Sequence, residues 1–214
     1  MIHMPSYRPD NGRATNHDAE PPDGPAQPPS DDKLLVGSNV QINGMINDDL
    51  FLTFMKQLGD VRASNEDLIL ELMTQGGDAD TARRIALEIR VFKTRSGKNA
   101  YAIGKTAVMS AGITIFSAFD CANRFLTPDA TLLIHERHIS RTITLEGPIK
   151  SCMQIVREES SALETAERVE REDFEHFVKG SSMSADDLFE RAKDNCYLTA
   201  QDALDLRLIA RIIG

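Results

Sequence analysis

Long apolar runs, a basic excess and paired cysteines are all missing from this chain of 214 residues. No uncharged stretch approaches the roughly 18 apolar residues that span a bilayer. Met1 to Glu20 has no apolar segment of the kind a secretory signal needs. A membrane is therefore not an expected partner. Cys121, Cys152 and Cys196 are odd in number and share neither redox nor metal-ligand spacing, which suits a reduced, cytoplasmic protein. Formal charge is −9, and its placement excludes more than its size. Six acids and two Arg fall in residues 1–32, eight acids and three Arg in 157–175, and the rest balances. No basic face is left to track a phosphate backbone, so nucleic acid is not an expected partner either.

Proline is scarce after residue 32: seven of the nine precede it, leaving Pro128 and Pro148. A Pro-rich, acidic stretch cannot bury enough apolar surface to offset its ordering entropy. Residues 1–32 are expected to be a disordered tail or leader, and residues 33–214 one domain. Within that domain, Leu34-Leu35-Val36 and Val40-Gln41-Ile42 read as short strands, and 47–58 as a helix. Leu68 to Met73 is a mostly unbroken apolar run, the mark of a strand buried on both faces of a parallel sheet. A helix follows with Ala82, Ile85, Ala86, Ile89 and Phe92 inward. Ala100 to Ile103, Arg124 to Leu126 and Thr131 to Ile134 read as further strands, with a short helix after Ser110. From Pro148 to Lys179 the pattern is a long acidic helix with Ile149, Met153, Val156, Leu163 and Ala166 as its apolar stripe. Gly180 suits its stop. Ser184 opens one more helix. Alternating strands and helices imply an α/β fold.

Three places carry chemistry. Gln75-Gly76-Gly77-Asp78 ends a buried strand ahead of a helix, where paired glycines let backbone N–H groups approach a ligand; taken alone, a plain tight turn is the better explanation. Ser110 sits among small residues at a helix start, either as an accessible nucleophile with the Ala111 amide facing a developing oxyanion or simply as a helix cap. His135 follows the strand Leu132-Leu133-Ile134, at the strand end where open α/β sheets place their sites, with His138 close by. His135-Glu136-Arg137-His138 lacks a third ligand, so no metal is implied.

The order and spacing of these features resemble the Clp protease proteolytic subunit family, ClpP, over about residues 34–213. The stretch from Arg124-Phe125-Leu126-Thr127-Pro128-Asp129 to His135 is the most specific, and Leu198-Thr199-Ala200-Gln201-Asp202-Ala203-Leu204 also looks like that family. The resemblance implies a ClpP/crotonase-type fold of stacked ββα units with a protruding helical handle. It implies a serine endopeptidase acting on unfolded proteins or peptides, with Ser110 as nucleophile and His135 as general base. The amides of Gly77 and Ala111 would form the oxyanion hole, and extended substrate would lie beside Gly76 and Gly77. No cofactor is implied. Partners would be other copies, in heptameric rings stacked to tetradecamers, and an AAA+ Clp ATPase. The family's orienting Asp aligns with Asn195, while Asp194 lies one residue earlier, and either is a candidate. Gln75, Arg207 and Ala210 depart from the family's usual Pro, Gly and Asp; Arg207 would strain the chain by about 1 kcal/mol if its backbone is left-handed. Two alternatives remain: a ring subunit with little or no turnover, and a crotonase-type acyl-CoA enzyme that needs no serine nucleophile.

Overall fold

A computed structural model describes residues 28–214. Most of the tail read over 1–32 lies outside the described residues. At residue 31 a helix, α1 (Asp31–Val36), has already begun. Leu34-Leu35-Val36, expected as a strand, is therefore helical. The reason lies just upstream, where Ser30 caps the helix and Asp31 and Asp32 occupy its first turn, favouring the positive end of the helix dipole.

The sheet runs β1 (Val40–Asn43), β2 (Leu68–Thr74), β3 (Ala100–Met109), β4 (Arg124–Leu126) and β7 (Arg211–Ile212), every neighbouring pair parallel. β5 (Thr131–Ile134) pairs with the second half of β3. β6 (Cys196–Thr199) closes antiparallel on β5. β3 thus exchanges β4 for β5 partway along, and Thr106, at φ 56°, marks the break. β2 is buried along most of its length on both faces, as its unbroken apolar run requires.

The main core lies on one face, under α2 (Asp48–Ser64), α3 (Ala79–Ser96) and α4 (Ala111–Phe116). The base of α5 (Ile149–Val178), α6 (Ala185–Ala192) and α7 (Ala200–Asp205) complete it. α3 buries Ala82, Ile85, Ala86, Ile89 and Phe92, the face its periodicity predicts. The opposite face carries a small cluster of Leu34, Ile69, Tyr101, Ile103, Phe125 and Ile213, which explains what α1 packs on.

α5 is the handle. Only Phe174, Phe177 and Val178, at its C-terminal end, are buried. Ile149, Met153, Val156 and Leu163 are all exposed, while Ala166 is half-buried in the cleft wall, so most of its apolar stripe is uncovered within the described chain. The base is fastened by Arg124, a buried guanidinium that donates to carbonyls at the end of α4 and beyond (Phe119, 2.8 Å), of α5 (Phe177, 2.7 Å) and near the C-terminus (Leu208, 3.4 Å). Burial pushes its pKa down, and these acceptors are what keep the charge tolerable without a carboxylate.

Candidate active site

Ser110 is the first residue past β3, and its backbone takes φ 55°, ψ −121°, a conformation L-residues rarely adopt. Its side chain makes no capping bond to α4, so the helix-cap reading of Ser110 fails. Its amide is spent on the Leu133 carbonyl at 2.8 Å, which ties the turn to β5. The Ala111 N–H occupies the first helical position, where no intrahelical acceptor exists.

Gly76 and Gly77 are required by close approach, not merely by a turn. A Cβ on Gly76 would lie 2.7 Å from the Ser110 Cβ, and one on Gly77 would lie 2.3 Å from the Ile46 carbonyl oxygen. Both have positive φ, 110° and 142°. Ile46 forms a parallel bridge with Gly77, donating to the Gly76 carbonyl at 2.9 Å and accepting from Asp78 at 2.9 Å. In an extended strand, alternate peptide groups point to opposite sides. The Gly77 N–H therefore points away from Ile46, and among the described residues it has no backbone partner.

A cleft of about 460 Å³ opens here, lined by Gly77, Ser110, Ala111, His135, Arg137 and Glu170 among others, with its far wall supplied by α5. His135 is half-buried at the end of β5. Its Nδ1 lies 2.6 Å from the Glu136 carbonyl, which can only accept, so Nδ1 carries the proton and Nε2 is the basic nitrogen. His138 stacks obliquely on it, ring centres 5.2 Å apart. Glu170 accepts a hydrogen bond from the Arg137 backbone N–H, while the Arg137 guanidinium pairs with Asp80 at 2.7 Å. Burial pushes Glu170 and Asp173 above the usual carboxylate range; the Arg137 N–H opposes this at Glu170, and Arg83 opposes it at Asp173. At the mouth, Asp78 is held below that range because its carboxylate caps α3 through Thr81.

The structure thus brings Gly76, Gly77, Ser110, Ala111 and His135 together around one cleft. No hydrogen bond among the described residues joins Ser110 to His135, or His135 to Asp194 or Asn195. The β5–β6 register pairs Ile134 with Cys196. Extended by one pair, it sets Asn195 opposite His135 and Asp194 opposite Glu136. Asn195 is left-handed at φ 61°, a conformation Asn tolerates well, and both residues are exposed. Three contributors escaped the sequence reading. Ile46 lies far from Gly77 along the chain, and nothing in the sequence pattern sets Glu170 or Arg137 apart from neighbouring charges. Only the place of Arg137 two residues beyond His135 could have flagged it. Among the described residues no cluster of three His, Cys, Asp or Glu is arranged to hold a metal ion, and no helix is long and apolar enough to cross a membrane.

The Clp protease family model matches residues 30–214. Among solved structures the chain is similar to an Asn-to-Asp mutant of ClpP1 from Listeria monocytogenes, with a TM-score of 0.66 and 21% identity, over 86% of this chain and 95% of that one. That likeness carries the ClpP/crotonase-type fold. A search of curated proteins found no match.

Proposed function

Because the chain belongs to the Clp protease family, we propose that it is a serine endopeptidase cutting peptide bonds of unfolded chains at Ser110. The observation that carries this reading is the Ser110 backbone, held at φ 55°, ψ −121° against Gly76 with its hydroxyl uncommitted to the helix. Strain of this kind persists only where the surroundings over-determine it, and it gathers at active sites. In the proposed reaction Ser110 Oγ attacks the substrate carbonyl while His135 Nε2 takes its proton. The developing oxyanion is met by the N–H groups of Gly77 and Ala111, and the proton passes to the departing amine. Water then repeats the sequence on the acyl-enzyme. Extended substrate lies along the Gly76–Gly77 edge by strand addition. Of the two candidates to steady the imidazole, Asn195 is favoured over Asp194 by the register opposite His135.

The reading extends to assembly. Ile139, Ile143 and Leu145 on the irregular segment after His135, and the α5 stripe, are exposed together. Copies of this chain packed through them would form stacked rings of the family's kind, enclosing the clefts and fed by a Clp ATPase. The ring-subunit alternative draws on the absence of a Ser110–His135 bond; the acyl-CoA alternative would leave Ser110 dispensable. A fluorophosphonate probe read by intact mass decides among them. The expected result is one adduct per chain, abolished in Ser110→Ala and His135→Ala. No adduct on the assembled wild-type protein removes the peptidase reading.

A further inference from the structure

The carboxylate bonded nearest to the His135 environment lies on α5, away from β6. The Glu136–Arg137 peptide group lies between two side chains of the cleft. Its carbonyl oxygen accepts from His135 Nδ1–H at 2.6 Å, and its N–H donates to the Glu170 carboxylate. Carboxylate, peptide plane and imidazole therefore form one chain of hydrogen bonds running from α5 to the base. We propose that Glu170 is the positioning carboxylate of this site, fixing the tautomer and angle of His135 through the intervening peptide. The proposal rests on the reading of His135 as general base.

The physics is that of a polarised amide. A negative charge on its N–H pulls electron density toward the carbonyl oxygen, making it a better acceptor, and each bond in such a chain strengthens its neighbours. An imidazolium formed during proton transfer gains the same charge at one remove, as a buried Asp provides by direct contact in a Ser-His-Asp site. Glu170 is suited to the role because it is already half-buried in the cleft wall and spends its charge on a fixed backbone N–H. The groups around it are accounted for. Arg137 turns its guanidinium to Asp80, Asp173 accepts from Thr114 at 3.4 Å, and Glu136 and Glu167 add like charge. His138 packs obliquely against the imidazole. The α5 handle thereby reaches the base through a single peptide group, so whatever seats the handle also seats His135.

Two variants separate charge from tether. Glu170→Gln keeps an oxygen for the Arg137 N–H and removes the charge; Glu170→Ala removes both. Imidazole ¹⁵N NMR of the full chain reports the His135 tautomer and whether its Nδ1–H is held in a hydrogen bond, without requiring turnover. The expected result is an Nδ1–H tautomer in the wild type, with the Nδ1–H signal exchanging faster with water in Glu170→Gln and faster still in Glu170→Ala. Fluorophosphonate labelling of Ser110 should slow about tenfold, the order seen when the outer partner of a metal-bound imidazole is lost. An Nε2–H tautomer in the wild type overturns the proposal. So does an Nδ1–H signal that is unchanged in both variants, whatever the labelling rate does. Failure of the peptidase reading looks different: Ser110→Ala would label like the wild type while the NMR result stood.

Discussion

Gly76, Gly77 and Ser110 are fixed by backbone packing so tight that a methyl group on either glycine would sit under 3 Å from its neighbour. His135 stands instead one residue past the end of β5, ahead of a segment without regular structure whose residues from 138 to 147 are all exposed. One half of the cleft is thus set by the fold of a single chain, and the other hangs on side-chain bonds and on surfaces that lack partners. The difference says where control can lie. An oxyanion hole needs rigid dipoles, since reorganising them during reaction would forfeit their advantage. A base needs only the right nitrogen in the right place, and that placement can be granted or withheld. The handle, exposed on its apolar stripe and bonded to the Arg137 backbone through Glu170, is the element able to do so.

The comparison breaks most visibly on the rigid side. Gly77→Ala forces a Cβ to 2.3 Å from the Ile46 carbonyl at a φ of 142°, so the Ile46 bridge must open and the Gly77 N–H must turn. Loss of one oxyanion donor costs around 10²–10³ in turnover. Peptidase assays on the folded variant should show at least that loss, and circular dichroism should show the sheet intact. Activity within tenfold of wild type would remove Gly77 from the oxyanion hole.

On the loose side the largest effect should come through assembly. Met153→Glu with Val156→Glu places charge on the exposed handle stripe and touches neither a core residue nor the cleft. Light scattering should report particles reduced toward the 23.7 kDa monomer, with peptidase activity falling in step. Because α5 is already acidic, rising salt should partly restore assembly by screening, on the scale of a Debye length of about 8–10 Å. A variant that stays assembled would clear this stripe of the role. A smaller effect is expected at β6. Asn195→Ala should slow labelling of Ser110 by about tenfold or less, because Glu170 still holds the base, and Asp194→Ala should leave it unchanged. Should Asn195→Ala match His135→Ala in severity, Asn195 steadies the imidazole alone and the comparison of halves must be redrawn.

What the sequence disclosed follows the same division. The buried strands, the inward face of α3 and the glycine pair were legible because each is a local pattern with a local cause. The family motif around Arg124 to His135 pointed to His135, which lines the cleft. α1 is not legible because Leu34-Leu35-Val36 is too short for periodicity to separate strand from helix, and the deciding residues, Ser30, Asp31 and Asp32, belong by composition to the Pro-rich acidic stretch. The stripe on α5 was found, but one sequence cannot show that its apolar face has no partner in its own chain. Glu170 was hidden among eight acids in 157–175, since only the meeting of α5 with the end of β5 distinguishes it from its solvated neighbours.

Strain itself offers the finest test. Arg207 shares with Ser110 a left-handed φ, 56° against 55°, but it lies at the end of α7, where its amide donates to Leu204 and Leu208 donates to Ala203. Nothing in that turn needs a side chain with a Cβ, so the conformation costs stability with no evident return. Arg207→Gly should therefore raise stability by roughly 1 kcal/mol in denaturant titration, with the labelling rate at Ser110 unchanged. Ser110→Gly should relieve a comparable cost, since it too removes a Cβ from a disfavoured backbone, and it necessarily ends labelling. Gains of similar size at the two positions would mean that the protein carries avoidable strain at both and that only at Ser110 does the strained residue do chemistry. A gain at Arg207 with none at Ser110 would mean that Gly76 and Leu133 have made the Ser110 turn comfortable, so that its geometry reflects packing and the strain argument for the nucleophile loses its force.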